Sequence, residues 1–242
     1  MSYESAARRI KRAERIVVLT GAGVSTASGI PDFRSSEGLW TEDHAREYYM
    51  SNDYFQKHPD DFWKKYKAIF RLKLLQEYRP NNVHQFIHEL ESDRRDVSVI
   101  TQNVDGLHQL AGSSSVLEYH GSLNHSFCQD CGRSYPLESV METMVPVCRD
   151  CGTTLKPGVM LFGDLITAHD EAERIIKEAD LLLVMGTSLQ VTPFCLLPYY
   201  AGEQGRTSSI LINNEPTDKD DLFDIVFHDD LSHAVQQLQE LL

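Results

Sequence analysis

The chain has 242 residues, 41% of them hydrophobic and 24% charged, which is the composition of a soluble globular protein. A chain of this length can bury a sizeable core without disulfide bonds, in one large domain or in one domain with an insertion. Acidic residues number 36 against 23 lysines and arginines, so the formal net charge is −13. Duplex DNA and anionic membranes attract positive protein surfaces, so this charge argues against both as partners.

Apolar residues follow two alternating patterns along the chain. Helical patterns lie at 3–14, 82–91, 169–178, 193–201 and 231–242. Short, unbroken apolar runs lie at 16–19, 97–100, 181–185 and 210–212, as expected for parallel strands that are buried on both faces. The alternation predicts an α/β fold with a doubly wound, Rossmann-like parallel sheet.

Two segments interrupt this alternation. Residues 36–80 are rich in aromatic side chains and predict a mainly helical insertion, whereas residues 125–157 hold four cysteines among glycines, prolines and turn residues. We expect the two insertions to form a small second domain. The Rossmann-like domain would then comprise residues 1–35, 81–124 and 158–242.

The first predicted strand leads into Gly21-Ala22-Gly23. Because glycine has no Cβ, the backbone of such a turn can approach a phosphate closely. The dinucleotide fingerprint of dehydrogenases requires a third glycine at position 26, where this chain has threonine. The turn therefore indicates either a nucleotide site that is not of the hydride-transfer type or simply a tight connection from strand to helix.

Polar side chains follow the other predicted strands. They are Gln102, Asn103 and Asp105, then His120, then Thr187 and Ser188 after Gly186, and finally Asn213 and Asn214. Ligands of open parallel sheets bind beyond the carboxyl ends of the strands, so these residues are candidates for a binding site. Asn103 and Asp105 could instead cap the helix that follows them. His120 has the side chain best suited to proton transfer near neutral pH, although a structural role is equally compatible with its spacing.

The cysteines carry the strongest spacing signal. Cys128 and Cys131 form one C-x-x-C pair, and Cys148 and Cys151 form a second. Four thiolates so spaced can enclose one Zn²⁺ ion tetrahedrally and leave no position open for substrate, which predicts a structural zinc in a loop-rich segment. A redox dithiol is the weaker alternative because it needs only one pair.

The N-terminal residues are charged and lack the apolar core of a secretory signal. No apolar run approaches the ~18 residues that a membrane-spanning helix needs. We therefore expect a cytoplasmic protein, most simply a monomer, with neither a membrane nor a nucleic acid as partner.

Taken in order, these motifs resemble those of the sirtuin family of NAD-dependent protein deacylases. The resemblance covers residues 21–34, 101–108, His120-Gly121, the paired cysteines, Phe162-Gly163, 186–189 and 212–213. The organisation is most similar to that of a short bacterial member.

The resemblance implies an NAD site. The residues implied at the pyrophosphate are Gly21, Ala22, Gly23 and Thr26, and those implied at the nicotinamide end are Asp32, Phe33, Arg34, Gln102, Asn103, Val104 and Asp105. The residues implied at the adenosine half are Gly186, Thr187, Ser188, Asn213, Asn214 and Asp230.

The resemblance also implies the chemistry. His120 would be the general base, with Asn103 as a second catalytic residue. The acyl-lysine peptide would bind as an extended strand at Phe162, Gly163, Asp164 and Val191. The reaction would consume NAD and give nicotinamide, free lysine and 2′-O-acyl-ADP-ribose, while mono-ADP-ribosyl transfer to a protein at the same NAD site is the alternative. An oxidoreductase lacks support from the glycine spacing, and a zinc-ribbon module for nucleic acids lacks support from the net charge.

Two positions differ from common family patterns. Phe162-Gly163-Asp164 stands where Phe-Gly-Glu is usual. Members that prefer acidic acyl groups carry Tyr-x-x-Arg in the helical insertion, and the nearest counterpart here has Tyr66 followed by Ile69. Without an arginine to recognise an acyl carboxylate, we expect acetyl or another neutral acyl group to be preferred over succinyl.

Overall fold

The computed structural model describes residues 2–32, 45–70, 78–92, 94–201 and 207–242. The strands are β1 (Arg15–Thr20), β2 (Asp96–Thr101), β3 (Val116–Glu118), β4 (Gly121–Phe127), β5 (Ser134–Pro136), β6 (Lys156–Val159), β7 (Leu181–Met185), β8 (Ser208–Asn213) and β9 (Ile225–His228). The helices are α1 (Tyr3–Arg12), α2 (Ala45–Tyr49), α3 (Asn52–Lys57), α4 (Pro59–Ile69), α5 (Asn82–Glu89), α6 (Leu107–Ala111), α7 (Leu137–Met141), α8 (His169–Lys177), α9 (Leu197–Ala201) and α10 (Leu231–Gln239). Three 3₁₀ turns span Ala22–Ser28, Phe194–Leu196 and Asp220–Leu222. Within these ranges, the helices are too short or too polar to cross a bilayer.

Six strands form one parallel sheet in the order β3-β2-β1-β7-β8-β9. The predicted doubly wound sheet is thus confirmed. Strand addition proceeds from β1 to one side through β2 and β3, and then resumes on the other side with β7. The junction between β1 and β7 is therefore a topological switch point, where the connections diverge to opposite faces and leave a crevice.

The unbroken apolar runs are explained by the two cores that cover this sheet. In β1, Ile16 and Val18 belong to the core under α1, α5 and α10, whereas Val17 and Leu19 face the core under α8 and α9. Successive side chains of a strand point to opposite faces, so both sets must be apolar when both faces are buried. Strand β9 was not predicted from the sequence, since its apolar run is short and it pairs with β8 alone among the described strands, at the edge of the sheet.

A second, antiparallel sheet has the order β5-β4-β6. Its core is shared with α3 and α4, where Phe62 and Trp63 are fully buried. The indole N–H of Trp63 donates to the carbonyl of Leu155 at 2.8 Å, and the Lys67 ammonium donates to the carbonyl of Val140 at 2.6 Å. Residues from both predicted insertions therefore pack together.

Gly121 lies where the chain passes from the large sheet to the small one. Its φ is +75°, in the left-handed region that favours glycine, and a Cβ placed on it would lie 2.1 Å from the carbonyl oxygen of Gly158. This contact brings the start of β4 against β6 and fixes the position of the preceding residue, His120.

We predict that Gly121→Ala destabilises the protein more than Gly132→Ala does. Gly132 has a nearly identical φ of +72°, but nothing lies within 4 Å of its Cβ position. Both variants carry the cost of the left-handed conformation, and Gly121→Ala adds a backbone clash worth about 1–3 kcal/mol. Urea unfolding of the two variants measures the difference, and equal midpoints with equal slopes would contradict this account.

Candidate active site

A cleft of about 540 Å³ runs along the carboxyl edge of the large sheet. Among the predicted site residues, its lining includes Gly21, Ala22, Gly23, Thr26, Asp32, Gln102, Asn103, Val104, His120, Phe162, Gly163, Asp164, Gly186, Thr187, Ser188, Val191, Asn213, Asn214 and Asp230. These residues lie in the loops that follow the six parallel strands and β6. The parallel alignment brings those carboxyl ends together, although the residues are far apart in the chain.

Three residues predicted at the NAD site remain to be placed. Phe33 and Arg34 lie outside the described residues. Asp105 is turned toward the protein: its carboxylate accepts from the Ser25 hydroxyl at 2.8 Å and from the backbone N–H of Leu107 at 3.0 Å. The second bond closes a local turn before α6, whose N-cap residue is Gly106 and has no side-chain cap.

The centre of the cleft is built from two glycine turns at the switch point. The N–H of Gly23 donates to the carbonyl of Gly186 at 2.9 Å, and that of Gly21 donates to the carbonyl of Met185 at 3.2 Å. A Cβ on Gly21 would lie 2.7 Å from the Gly186 oxygen, and one on Gly23 would lie 2.8 Å from the Gly186 Cα. The glycines are therefore required for contact between the turns, in addition to any approach of a phosphate.

Two side-chain amides, one buried and one half-buried, join the loops that follow β1, β2 and β7. Asn103 is 5% exposed, and its amide donates to the carbonyl of Gly21 and to the hydroxyl of Ser25, each at 3.1 Å. The amide of Gln102 donates to the hydroxyl of Thr187 at 2.8 Å. Polar groups this deeply placed are stable because they are hydrogen-bonded, and their bonds hold the loops in one arrangement.

Two histidines lie beneath this network. His84 and His108 are fully buried, with ring centroids 4.9 Å apart, and Nε2 of His108 lies 2.9 Å from the Thr20 hydroxyl. Burial lowers the pKa of His84 to about 4 and that of His108 to about 3. Both imidazoles are thus neutral at pH 7, so they place no cation under the cleft.

His120 lies on the wall of the cleft where the two sheets meet. Its carbonyl accepts from the N–H of Met160 at 2.8 Å, which ties it to the end of β6. Its ring centroid is 5.3 Å from that of Tyr119 and 6.2 Å from that of Phe194. An imidazole at the wall of a deep cleft, backed by aromatic rings, is suited to exchange a proton with a bound ligand.

The segment at Phe162 forms the edge of the cleft on the side of the small sheet. Its N–H donates to the carbonyl of Met50 at 3.0 Å, and its carbonyl accepts from the N–H of Asn52 at 2.9 Å. Asp164 follows, and its carboxylate accepts from the Lys156 ammonium at 2.6 Å and from the N–H of Leu161 at 2.9 Å. The aspartate in Phe-Gly-Asp is therefore an internal clamp that fixes this edge.

Some lining residues were missed by the sequence analysis. Met50 and Phe70 come from the helical insertion, and Glu215 and Pro216 follow β8. Met50 belongs to the core of the helical insertion, and its carbonyl is paired with Phe162 at the edge of the cleft. Single apolar residues in an aromatic-rich helical segment give no local signal of such a role.

The four cysteines form a cluster at the tip of the small sheet. Their sulfurs lie within 4.8 Å of one another, and Cys131 Sγ is 3.7 Å from Cys148 Sγ. Tetrahedral zinc with Zn–S bonds of about 2.3 Å places its sulfurs about 3.8 Å apart, so the cluster fits one Zn²⁺ ion with no open position.

The cluster is built from two equivalent turns. In each, the glycine after the second cysteine donates its N–H to the carbonyl of the first at 2.9 Å, from Gly132 to Cys128 and from Gly152 to Cys148. Reciprocal side-chain bonds join the turns, from Arg133 to Asp150 at 2.7 Å and from Thr153 to Asp130. The ligands are therefore held in place by matching backbone and side-chain bonds.

The fold and the cleft together define a doubly wound α/β protein with a ligand site at its switch point and a metal-binding insertion. The Sir2 family model matches residues 21–193. NAD-dependent protein deacetylase 2 of Geobacillus kaustophilus (strain HTA426) is 44% identical over 235 residues, which cover 97% of this chain and 95% of that protein. The chain belongs to the Sir2 family.

Solved structures agree with this assignment. One of Sir2 with p53 peptide and NAD⁺ superposes with a TM-score of 0.84 at 31% identity, and it covers 99% of this chain and 98% of that one. One of Sir2 bound to acetylated peptide has a TM-score of 0.86 at 30% identity, with the same coverage of both chains. The fold is thus shared over nearly the full length.

We predict that the protein purifies with about one zinc per chain and that Cys148→Ser loses it, because three thiolates leave the tetrahedral shell open. The small sheet should then become sensitive to protease. Cys195→Ala is the matched control, since Cys195 is buried outside the cluster. Elemental analysis and limited proteolysis measure both properties, and a Cys148→Ser protein with full zinc content would contradict the assignment.

Proposed function

We propose that the chain is an NAD-dependent protein-lysine deacetylase that converts NAD, acyl-lysine and water to nicotinamide, free lysine and 2′-O-acyl-ADP-ribose. The observation that carries the proposal is that one cleft contains both the paired glycine turns and His120 in a chain of the Sir2 family. The relative at 44% identity is named a deacetylase, and structural neighbours bind NAD⁺ and acetylated peptide.

The shape of the cleft supports a direction for the dinucleotide. Gly21, Gly23 and Gly186 form a narrow, side-chain-free centre that suits a pyrophosphate. On the side of β8 and β9, Asn213, Asn214 and Asp230 offer hydrogen-bonding groups to an adenosine. On the side of β2 and β3, the lining residues Gln102, Asn103, Val104 and His120 surround the nicotinamide ribose.

The chemistry divides between the bound NAD and the residues around it. When bound, NAD supplies a ribose carbon that accepts the acyl oxygen of the substrate as nicotinamide departs. His120 then accepts a proton from a ribose hydroxyl at its imidazole nitrogen. Asn103 orients the reacting groups, because its amide is itself fixed by Gly21 and Ser25. Fixing several groups in one geometry lowers the entropic part of the barrier.

The acyl-lysine peptide binds at the edge formed by Phe162, Gly163 and Asp164, with Val191 opposite. An extended peptide pairs its backbone with such a segment and leaves the lysine side chain free to enter the cleft. Phe162 is 41% exposed, as expected for a side chain that packs against a peptide partner. The ion pair between Asp164 and Lys156 holds this edge in place before the peptide arrives.

The helical insertion and the part of the small sheet nearest the cysteines form a separate domain with a structural zinc ion. The proposed boundaries are residues 36–80 and 125–157 for the small domain, and 1–35, 81–124 and 158–242 for the NAD-binding domain. Their support is the shared core that Phe62 and Trp63 form with the small sheet. The zinc cluster holds that sheet together and takes no part in the reaction.

Mono-ADP-ribosyl transfer, the alternative from the sequence, receives no support from the comparisons. The two reactions have different products. Deacetylation yields a small acyl-ADP-ribose, whereas transfer adds the mass of ADP-ribose to the protein acceptor. Mass spectrometry of both fractions therefore distinguishes them in one experiment.

We predict that His120→Ala lowers kcat for deacetylation of an acetyl-lysine peptide by about 100-fold or more, the usual contribution of a general base. Nicotinamide exchange should persist, since nicotinamide departs before His120 takes its proton. His58→Ala, on the exposed surface of the helical insertion, is the control. Chromatography of peptide and nicotinamide gives both rates. A His120→Ala enzyme as active as the control would overturn the role of this residue.

We predict that butyryl-lysine is a substrate and that succinyl-lysine is at least about tenfold poorer in kcat/KM. The two acyl chains have the same number of carbons, so the comparison isolates the carboxylate. The described residues that line the cleft include no lysine or arginine, and desolvating an unpaired carboxylate is costly. Tyr66 is 3% exposed within the aromatic core, and burial raises the pKa of its hydroxyl, so it stays neutral. Faster removal of succinyl than of butyryl would contradict the prediction.

A further inference from the structure

Tyr119 precedes His120 in the chain and is one of the largest fully buried side chains, at 1% exposure. Its ring meets that of His120 edge to face, with centroids 5.3 Å apart and an interplanar angle of 68°. It also meets Phe194 edge to face at 5.2 Å and 82°. Phe194 in turn lies 6.2 Å from the His120 ring. The imidazole is thus packed against a pair of interlocked aromatic rings.

The hydroxyl of Tyr119 has a specific partner on the side away from the cleft. It lies 2.6 Å from Nδ1 of His169, the first residue of α8. Nε2 of His169 lies 3.2 Å from the hydroxyl of Tyr200 on α9. A neutral His169 protonated at Nε2 satisfies both contacts, because Tyr119 then donates to Nδ1 and Nε2 donates to Tyr200.

The far end of this series of hydrogen-bonded side chains, at Tyr200, is also fixed. Glu173 and Lys177 follow His169 at intervals of four residues on α8, and their side chains are 2.6 Å apart. The Lys177 ammonium lies 5.3 Å from the centroid of the Tyr200 ring. Residues four apart share one face of a helix, so His169, Glu173 and Lys177 all lie on the face of α8 that packs against α9.

The hydroxyl of Tyr119 would be expensive to bury without its partner. Burial raises the pKa of this phenol, so it remains a donor throughout the neutral range. A phenol held at its hydroxyl end cannot slide along its axis. Because its ring edge is packed against His120, the bond to His169 restricts the imidazole as well.

We propose that Tyr119 is a positioning residue for His120, held in place by His169 and Tyr200. This inference rests on the proposed function of His120 as the general base. Tyr119 itself touches the base and not the substrate. Its hydrogen bond selects the orientation of the His120 imidazole that faces the bound ribose.

The test is Tyr119→Phe, which keeps the ring and removes the hydroxyl. The lost hydrogen bond is worth about 1 kcal/mol. Added to the activation free energy of the step that uses His120, this loss lowers kcat for deacetylation about fivefold. KM for NAD and the rate of nicotinamide exchange stay within twofold of wild type, because neither depends on His120. Tyr54→Phe is the matched control, since Tyr54 is also buried and donates to Asp61, in the helical insertion.

Substitutions of His169 separate positioning from general stability. His169→Asn offers Oδ1 near the place of Nδ1 and restores the acceptor for Tyr119, so it keeps at least half of the wild-type kcat. His169→Leu removes the acceptor and shows the fivefold loss. Urea unfolding identifies any variant whose stability has changed. A His169→Asn enzyme as impaired as His169→Leu would contradict the proposal.

Imidazole NMR of the free enzyme gives a readout that does not depend on turnover. The ring C–H resonances of His120, assigned by their loss in His120→Ala, shift or broaden in Tyr119→Phe and not in Tyr54→Phe. If Tyr119→Phe leaves both these resonances and kcat unchanged, the positioning role is wrong. If the wild-type protein shows no NAD-dependent deacetylation, the proposed function fails, whatever the resonances show.

Discussion

The turn after β1 and the turn after β7 touch backbone to backbone, because Gly21, Gly23 and Gly186 leave no side chain between them. The bond from the Gly23 N–H to the Gly186 carbonyl, at 2.9 Å, closes this contact. It lies where strand addition reverses direction, so the connecting segments leave on opposite faces and open a crevice there. Every other part of the cleft is arranged around this junction. A methyl group at any of the three positions would push apart the loops that make the centre of the site.

Around the junction, the protein fixes its polar groups before any ligand binds. Asn103 ties the loop after β2 to the loop after β1, and Gln102 ties it to the loop after β7. His84 and His108 lie beneath and remain neutral, since burial holds their pKa values far below the ordinary range. Among the described residues that line the cleft, the histidine is His120, at the junction of the two sheets. Preorganised groups of this kind need little rearrangement when the substrates arrive, which is how a binding cleft becomes a catalytic one.

Much of this was predictable from the sequence, for identifiable reasons. Unbroken apolar runs such as 181–185 reveal strands buried on both faces, and polar residues directly after them mark the carboxyl edge. The C-x-x-C pairs reveal the cluster because each turn is local in the chain. Contacts between distant segments leave no such mark. The pairing of Met50 with Phe162 and the turn of Asp105 toward Ser25 depend on how separate elements pack. β9 was missed because an edge strand needs only one partner and a short apolar run.

In the proposed function, the junction of the two glycine turns holds the dinucleotide and His120 faces its reactive ribose. A crystal structure of the protein with an acetyl-lysine peptide and an NAD analogue that cannot release nicotinamide tests it most directly. We expect a pyrophosphate against Gly21 and Gly23, with a nitrogen of His120 within about 3 Å of a ribose hydroxyl. A dinucleotide bound away from Gly186, or a ribose that faces away from His120 while the peptide is in place, would contradict it.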